Sequence, residues 1–116
     1  MDYSSTYKLA QDIRDSEEYK TYHELKDSVM DDETTAALIR EYRKLQMMLQ
    51  MSAISGQNAD TEAMQRFSGL STLLFSKKEV SDYLMAEMRL QQMMADIFKI
   101  VTEAADVDVA IPGLEG

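Results

Sequence analysis

Apolar residues recur every three or four positions along most of this chain, which is the period of a helix with one buried face. Start and stop signals divide this pattern into five segments. We predict helices from about Ser5 to Asp15, from Glu17 with Ser16 as its cap, from Asp31–Glu33 to about Ser55, from Asp60 to about Phe75, and from Ser76–Glu79 to about Ala104. The alternative for the second helix is that it continues the first without a break. Gly56 is placed to end the third helix, and Ser76 with Glu79 fits a capping box for the fifth.

The residue composition agrees with an all-helical chain. Good helix formers dominate, and the single proline, Pro112, lies near the end of the 116 residues. We therefore predict an all-α fold, a bundle of four to five helices with two long helices, which dimerises through helical faces. Residues 1–105 are expected to form one helical domain and residues 106–116 a flexible C-terminal tail. Alternating apolar residues in that tail leave open a strand that docks on a partner.

The fifth predicted helix has an apolar surface too broad for a single neighbour. On a helical wheel its apolar positions cover an arc of about 240°, whereas packing on one layer needs little more than 100°. A seam with coiled-coil spacing runs along it: Val80, Tyr83, Glu87, Leu90, Met94, Ile97, Val101. We expect a homodimer with this helix near the interface. Glu87 is interpreted either as a functional acid or as half of a salt bridge that sets the register, for example with an arginine of the third helix.

The third predicted helix carries a second candidate interface. Its core stripe is Leu38, Tyr42, Leu45, Leu49 and Ser52, and the side facing away is basic in its N-terminal half and rich in methionine in its C-terminal half. Because methionine is flexible and polarisable, this side is interpreted as a docking face for a partner. A dimer mate could cover it instead, or the methionines could fill gaps in the core. The candidate interface residues of both helices are Arg40, Lys44, Met47, Met51, Ile54, Tyr83, Glu87, Leu90 and Met94.

The fourth predicted helix offers core positions at three- and four-residue spacing. These are Met64, Phe67, Leu70, Ser71, Leu74 and Phe75.

Charge and residue content exclude several classes of site. The chain has 12 Lys+Arg against 21 Asp+Glu, a net charge of −9, which argues against direct binding of nucleic acid or of an anionic membrane. The absence of cysteine excludes disulfides and thiolate ligands, and His23 is the only histidine. His23 is expected at the surface. We predict no catalytic residue, no metal site and no cofactor. Because the N-terminus does not resemble a signal peptide and the longest apolar runs span a few residues, a cytoplasmic location is expected.

Three segments, in this order, carry a resemblance to a known family. They are Ala10–Tyr19, Glu41–Gln46 followed by Leu49–Gln50, and Val80–Glu87. With them the chain resembles the YlbF/YmcA family of small helical bacterial proteins, and within it the YheA-like branch, over about residues 5–103. The resemblance implies an all-α fold that assembles as a dimer or larger oligomer, and a regulatory role without catalysis.

The resemblance also implies a kind of function. Proteins of this family look like adaptors tied to competence, biofilm formation, sporulation and mRNA processing, and some belong to a complex that holds iron–sulfur clusters through cysteines. This chain has no cysteine and so cannot hold a cluster through thiolates of its own. We predict a non-catalytic cytoplasmic regulator or adaptor that binds itself and another regulatory protein. The alternatives are a purely structural helical homo-oligomer and, third, an enzyme.

Overall fold

Five α-helices make up most of the computed structural model, which describes residues 1–58 and 60–106. They are α1 (Ser4–Asp15), α2 (Glu17–Met30), α3 (Glu33–Ser55), α4 (Thr61–Phe75) and α5 (Lys78–Ala105). These ranges contain no β-strand. The predicted all-α fold with two long helices is confirmed, and the predicted and observed boundaries agree closely. Within the described ranges, none of the helices combines the length and the apolar character needed to cross a lipid bilayer.

Short polar side chains set where the helices begin. An Asp32 carboxylate oxygen accepts a hydrogen bond from the backbone N–H of Thr34 at 3.2 Å, and Asp60 accepts one from the N–H of Glu62 at 3.1 Å. Ser16 caps α2 in the same way through its hydroxyl oxygen. Each cap satisfies a donor that the first turn of a helix leaves unpaired. These three predicted start signals are confirmed.

The capping box predicted for the fifth helix is wrong. α5 begins at Lys78, and Ser76 instead ends α4, where its hydroxyl donates to the carbonyl of Leu73 at 2.6 Å. The Glu79 carboxylate accepts a hydrogen bond from the hydroxyl of Ser28 on α2. Because α4 and α5 are separated by two residues, the unpaired carbonyls of the last turn of α4 compete for the same serine.

The chain divides into two compact units. One comprises Met1–Glu24 with the described chain from Leu84 onward, and the other comprises Leu25–Tyr83. Helices α2 and α5 therefore contribute residues to both. The single helical domain over residues 1–105 stays a prediction. The predicted tail, residues 106–116, lies outside the described residues except for Asp106.

In the Leu25–Tyr83 unit, α3 packs against α4 through apolar side chains. The cluster comprises Leu38, Tyr42, Leu45 and Leu49 of α3 and Ala63, Phe67 and Leu70 of α4. The ring of Tyr42 stacks on that of Phe67, with centroids 5.0 Å apart. The core stripe predicted for the third helix is thus confirmed at its four apolar positions.

The core positions predicted for α4 are wrong at two places. Met64 and Phe75 are exposed, whereas the small side chain of Ala63 is buried together with Leu70 and Leu74. The buried stripe consists of Ala63, Leu70 and Leu74, which follow one another at intervals of seven and four positions. Met64 lies about 100° around the helix from Ala63 and is therefore outside this stripe. Apolar character alone does not show where a stripe ends, so the prediction made it too wide.

In the other unit, burial along α5 is confined to its beginning. Leu84 and Ala86 are the buried residues among those described in this unit. Further along α5 the apolar side chains are half-buried or exposed, and Ile100 and Val101 expose 66% and 54% of their surface. The broad apolar surface predicted for this helix therefore remains largely accessible in the single chain.

Candidate functional site

Five of the predicted interface residues form one continuous stripe on α3. Arg40, Lys44, Met47, Met51 and Ile54 follow one another at intervals of four and three residues, which places them on the same side of a helix. All five are exposed, with Met47 and Met51 at 63% and Ile54 at 86%. We call this stripe the α3 outer face.

The packing of α3 on α4 explains why this stripe is exposed. Tyr42 and Leu45 point toward α4 and belong to the buried cluster. Met47 and Met51 lie about half a helical turn away from that stripe, so they point away from α4. The core of this unit is thus complete without the methionines, and the interpretation that they fill core gaps does not fit their exposure.

Two charged residues beside the α3 outer face are engaged by other helices of the same unit. Arg43 donates a hydrogen bond to the hydroxyl of Tyr83 at 3.0 Å, and its guanidinium carbon lies 5.9 Å from the centre of that ring. Glu41 accepts a hydrogen bond from the guanidinium of Arg66 on α4. The positive charges of the face itself are therefore Arg40 and Lys44.

The contact between Glu41 and Arg66 keeps both groups ionised. The hydrogen bond from Arg66 lowers the pKa of the Glu41 carboxyl, and the charges of Arg66 and Lys44 lower it further. The same hydrogen bond raises the pKa of Arg66. Because Glu41 is engaged and no other acidic residue occurs before Asp60, this part of the sequence supplies no further carboxylate for the two cations of the α3 outer face.

The four predicted interface residues of α5 have different surroundings. Tyr83 is 1% exposed, because its hydroxyl is satisfied by Arg43 and its ring can then be buried. The structure therefore buries Tyr83 and does not leave it on a surface that a partner could reach. Glu87 and Leu90 are half-buried, and Met94 is exposed. Glu87 takes part in an interaction, so it is not an isolated carboxylate.

Other polar groups gather in the Met1–Glu24 and Leu84-onward unit. His23 is half-buried, not fully at the surface as expected, and its ring lies 4.2 Å from that of Tyr19 and 5.0 Å from that of Tyr22. An open cavity of about 210 Å³ is lined by Glu17, Glu18, Thr21, Ala86 and Arg89. Glu87, the candidate functional acid, is not among the residues that line it. Over residues 1–58 and 60–106, no group of three or more His, Asp or Glu side chains is arranged to hold a metal ion.

Sequence reasoning missed two contacts beside the α3 outer face. It did not identify the hydrogen bond between Arg43 and Tyr83 or the one between Glu41 and Arg66. Both contacts join different helices, so no spacing along one helix indicates them. Met48 at the edge of the face is also exposed, as the methionine-rich pattern of this side indicates.

Comparison with known proteins shows the family. A family model described as control of competence regulator ComK, YlbF/YmcA, matches residues 3–105. The chain belongs to the YlbF/YmcA family. The resemblance seen in three short segments of the sequence is thereby confirmed, and the family is associated with regulation of competence.

Individual proteins similar to this chain match along nearly their whole length. A UPF0342 protein of Symbiobacterium thermophilum is 31% identical, covering 92% of this chain and 96% of that protein. A UPF0342 protein of Halothermothrix orenii is also 31% identical, over 92% of this chain and 91% of its own. A solved structure of a protein of unknown function (DUF964) from Bacillus stearothermophilus has a TM-score of 0.72 at 17% identity, covering 90% of this chain and 91% of that one. This last likeness shows the fold alone.

Proposed function

We propose that this member of the YlbF/YmcA family is a non-catalytic, cytoplasmic regulatory adaptor that binds another protein through the α3 outer face. The exposure of Met47, Met51 and Ile54, on a helix whose core stripe is already packed, carries the proposal. The description of the family model, which names control of a competence regulator, supports a regulatory role.

The energetics of the α3 outer face suit a reversible contact. Burying a methionine or isoleucine side chain stabilises a complex by about 1.5–3 kcal/mol relative to leaving it exposed. Adjacent apolar side chains rimmed by charge, here by Arg40 and Lys44, are typical of protein interaction sites. Methionine also changes rotamer at little cost, which allows a surface to adapt to its partner.

Replacing Met47 and Met51 with glutamate in one double variant tests the proposal. We expect the variant to keep its helical content and thermal transition, because both side chains are exposed. In the organism that encodes the chain, it should lose a protein captured by the wild type and change expression of the competence genes. Two charges placed in a dry apolar contact cost several kcal/mol.

Met64→Glu is the matched control, because Met64 is also an exposed methionine in the same unit but lies on α4. We expect this variant to keep both the captured protein and the regulatory output. The proposal fails if the Met47, Met51 double variant also keeps them. Unfolding of the double variant would show instead that these methionines belong to the core.

A purely structural homo-oligomer is the second candidate function. The exposed apolar residues Met88, Ile100 and Val101 on α5 favour it, because they offer a surface for self-association. In that case the Met47, Met51 double variant would at most change the mass measured by light scattering. Capture of other proteins and gene expression would stay unchanged.

A further inference from the structure

We propose that the α3 outer face binds an acidic amphipathic helix of another protein. This inference rests on the proposed function and specifies the chemistry of the partner. The partner helix would carry apolar side chains opposite Met47, Met51 and Ile54, and carboxylates opposite Arg40 and Lys44.

The spacing of the α3 outer face fits a helix lying along it. Its residues step by four and three positions from Arg40 to Ile54, which is the repeat that lets two helices pack side by side over several turns. This stretch is about 21 Å long at 1.5 Å per residue. A partner segment of about 15 helical residues would cover it.

The distribution of charge requires carboxylates that this stretch does not itself supply. Arg40 and Lys44 occupy the N-terminal half of the face, and Met47, Met51 and Ile54 the C-terminal half. Glu41 is engaged by Arg66, and the sequence contains no further acidic residue until Asp60. Glu41 also interacts electrostatically with Lys44 but is held by Arg66, so a partner that brings carboxylates of its own complements the face best.

The α3 helix of a second copy does not complement the face in either a parallel or an antiparallel pair. Parallel pairing of two α3 helices would put Arg40 opposite Arg40 and Lys44 opposite Lys44, so that like charges meet. Antiparallel pairing centred on Met47 would put Arg40 opposite Ile54, and Lys44 opposite Gln50 and next to Met51. Both cations would then lose water without gaining a carboxylate, which is unfavourable. Charge complementarity therefore favours an acidic helix over α3 of a second copy.

An anionic membrane is also a poor match for this surface. Stable binding of a protein surface to acidic lipids usually needs a cluster of four to eight basic residues. The α3 outer face has two, and the Leu25–Tyr83 unit that carries it contains more acidic than basic residues. An acidic helix needs only local complementarity and matches the apolar half of the face as well.

Two synthetic helical peptides test the inference on the full chain. Each has about 20 residues with apolar positions at three- and four-residue spacing, and a staple on its outer side keeps it helical. The flanking positions are glutamate in one peptide and lysine in the other. Binding is measured by fluorescence anisotropy for the wild type, for Arg40→Glu with Lys44→Glu, and for Lys8→Glu with Lys20→Glu. The last variant is the control, because its two exposed lysines lie in the other unit.

We expect the wild type and the control variant to bind the glutamate peptide at least about tenfold more tightly than the lysine peptide. Raising the salt concentration should weaken this preference, because the charges are at the surface. The Arg40, Lys44 double variant should reverse the preference. The Met47→Glu, Met51→Glu variant should bind neither peptide tightly, and circular dichroism should show that every variant is folded.

Several results would overturn the inference. They are equal binding of both peptides by the wild type, binding of neither, or an unchanged preference in the Arg40, Lys44 double variant. Binding to vesicles of phosphatidylglycerol and phosphatidylcholine that is stronger than binding to the glutamate peptide would point to a membrane instead. If neither peptide binds but the Met47, Met51 variant still loses its captured protein, the proposed function holds and this inference fails. If the peptides bind as expected but that variant keeps its captured protein, the face has the proposed chemistry and the proposed function fails.

Discussion

Adjacent side chains on α4 differ sharply in their surroundings. Leu74 has no exposed surface, whereas Leu73 exposes 45% of its own. Truncating Leu74 to alanine should leave a cavity and lower the free energy of unfolding by about 2–5 kcal/mol. Leu73→Ala is the control and should cost less than about 1 kcal/mol. Urea denaturation followed by circular dichroism measures both, and equal losses would contradict the assignment of the buried stripe.

The ion pair between Glu41 and Arg66 should make stability depend on pH. Because Arg66 lowers the pKa of Glu41 in the folded chain, the pair stabilises the fold above the unfolded value near 4.5. That contribution is lost as the pH falls through the lower pKa of the folded state. Glu41→Gln should therefore lower the melting temperature slightly at neutral pH, and the difference from wild type should vanish in acid. The effect is small because both side chains are substantially exposed.

Arg66→Gln tests whether the pair itself is responsible for this pH dependence. Its difference from wild type should follow the same pH profile, and the Glu41, Arg66 double variant should add nothing further. A pH-independent difference between Glu41→Gln and the wild type would show that the carboxyl is not stabilised by its partner.

Helical spacing was sufficient to predict that the apolar residues of the α3 outer face point outward. Met47, Met51 and Ile54 are exposed because the buried side of the same helix was identifiable from Leu38, Tyr42 and its neighbours. Tyr83 was assigned to the interface and is buried, since its partner Arg43 lies on another helix and cannot be inferred from periodicity.

Two glycines have opposite effects on their helices. Gly56 ends α3 in the left-handed conformation, with φ at 75°, and a side chain there would be strained. Gly69 lies inside α4, where an added Cβ would meet no atom within 4 Å. Gly56→Ala should lower the free energy of unfolding by about 1 kcal/mol, and Gly69→Ala should raise it by about 0.5–1 kcal/mol. Denaturation of both variants under the same conditions checks this, and shifts of the same sign would contradict it.

The ends of most helices were predictable because their signals are local. Asp32, Asp60 and Gly56 act on backbone groups within three residues of themselves. Ser76 was misassigned because two helix ends lie within its reach and the sequence does not show which one it satisfies. Local capping signals therefore predict an isolated helix end well, but they do not show which of two neighbouring helix ends a residue such as Ser76 caps.

The apolar residues of α5 lead us to expect a homodimer. Ile100 and Val101 are largely exposed in the single chain, and burying them against a second copy would remove apolar surface from water. Light scattering at low micromolar concentration should give twice the mass of one chain. Ile100→Glu with Val101→Glu should give a folded monomer.

The Arg40, Lys44 double variant is the control for this assembly, because those residues lie on α3. It should remain dimeric. A wild-type chain that is a monomer with a cooperative thermal transition would contradict the expected dimer, and the exposed residues of α5 would then be solvated.

The fold class was predictable for the molecule as a whole because it is encoded in long, regular helical patterns, and the family was predictable from three short segments in a fixed order. The identity of a binding partner is not encoded in this way. The binding surface of the partner belongs to another chain, and in this chain only the shape and charge of the α3 outer face constrain what that partner can be. The division into two compact units was also not predicted, because α2 and α5 each run through both without an interruption in their helical pattern.

The exposed methionines also determine how this protein reacts with oxidants. The sequence contains no thiol, so the easily oxidised groups that a peroxide meets at the surface are methionine thioethers, and those of Met47 and Met51 are among the exposed ones. Oxygen transfer to sulfur gives a sulfoxide, which is polar and which reductases convert back. If the α3 outer face binds its partner through these apolar sulfur atoms, oxidation would release the partner and reduction would restore binding. The fold itself would not change, because the oxidised side chains are exposed.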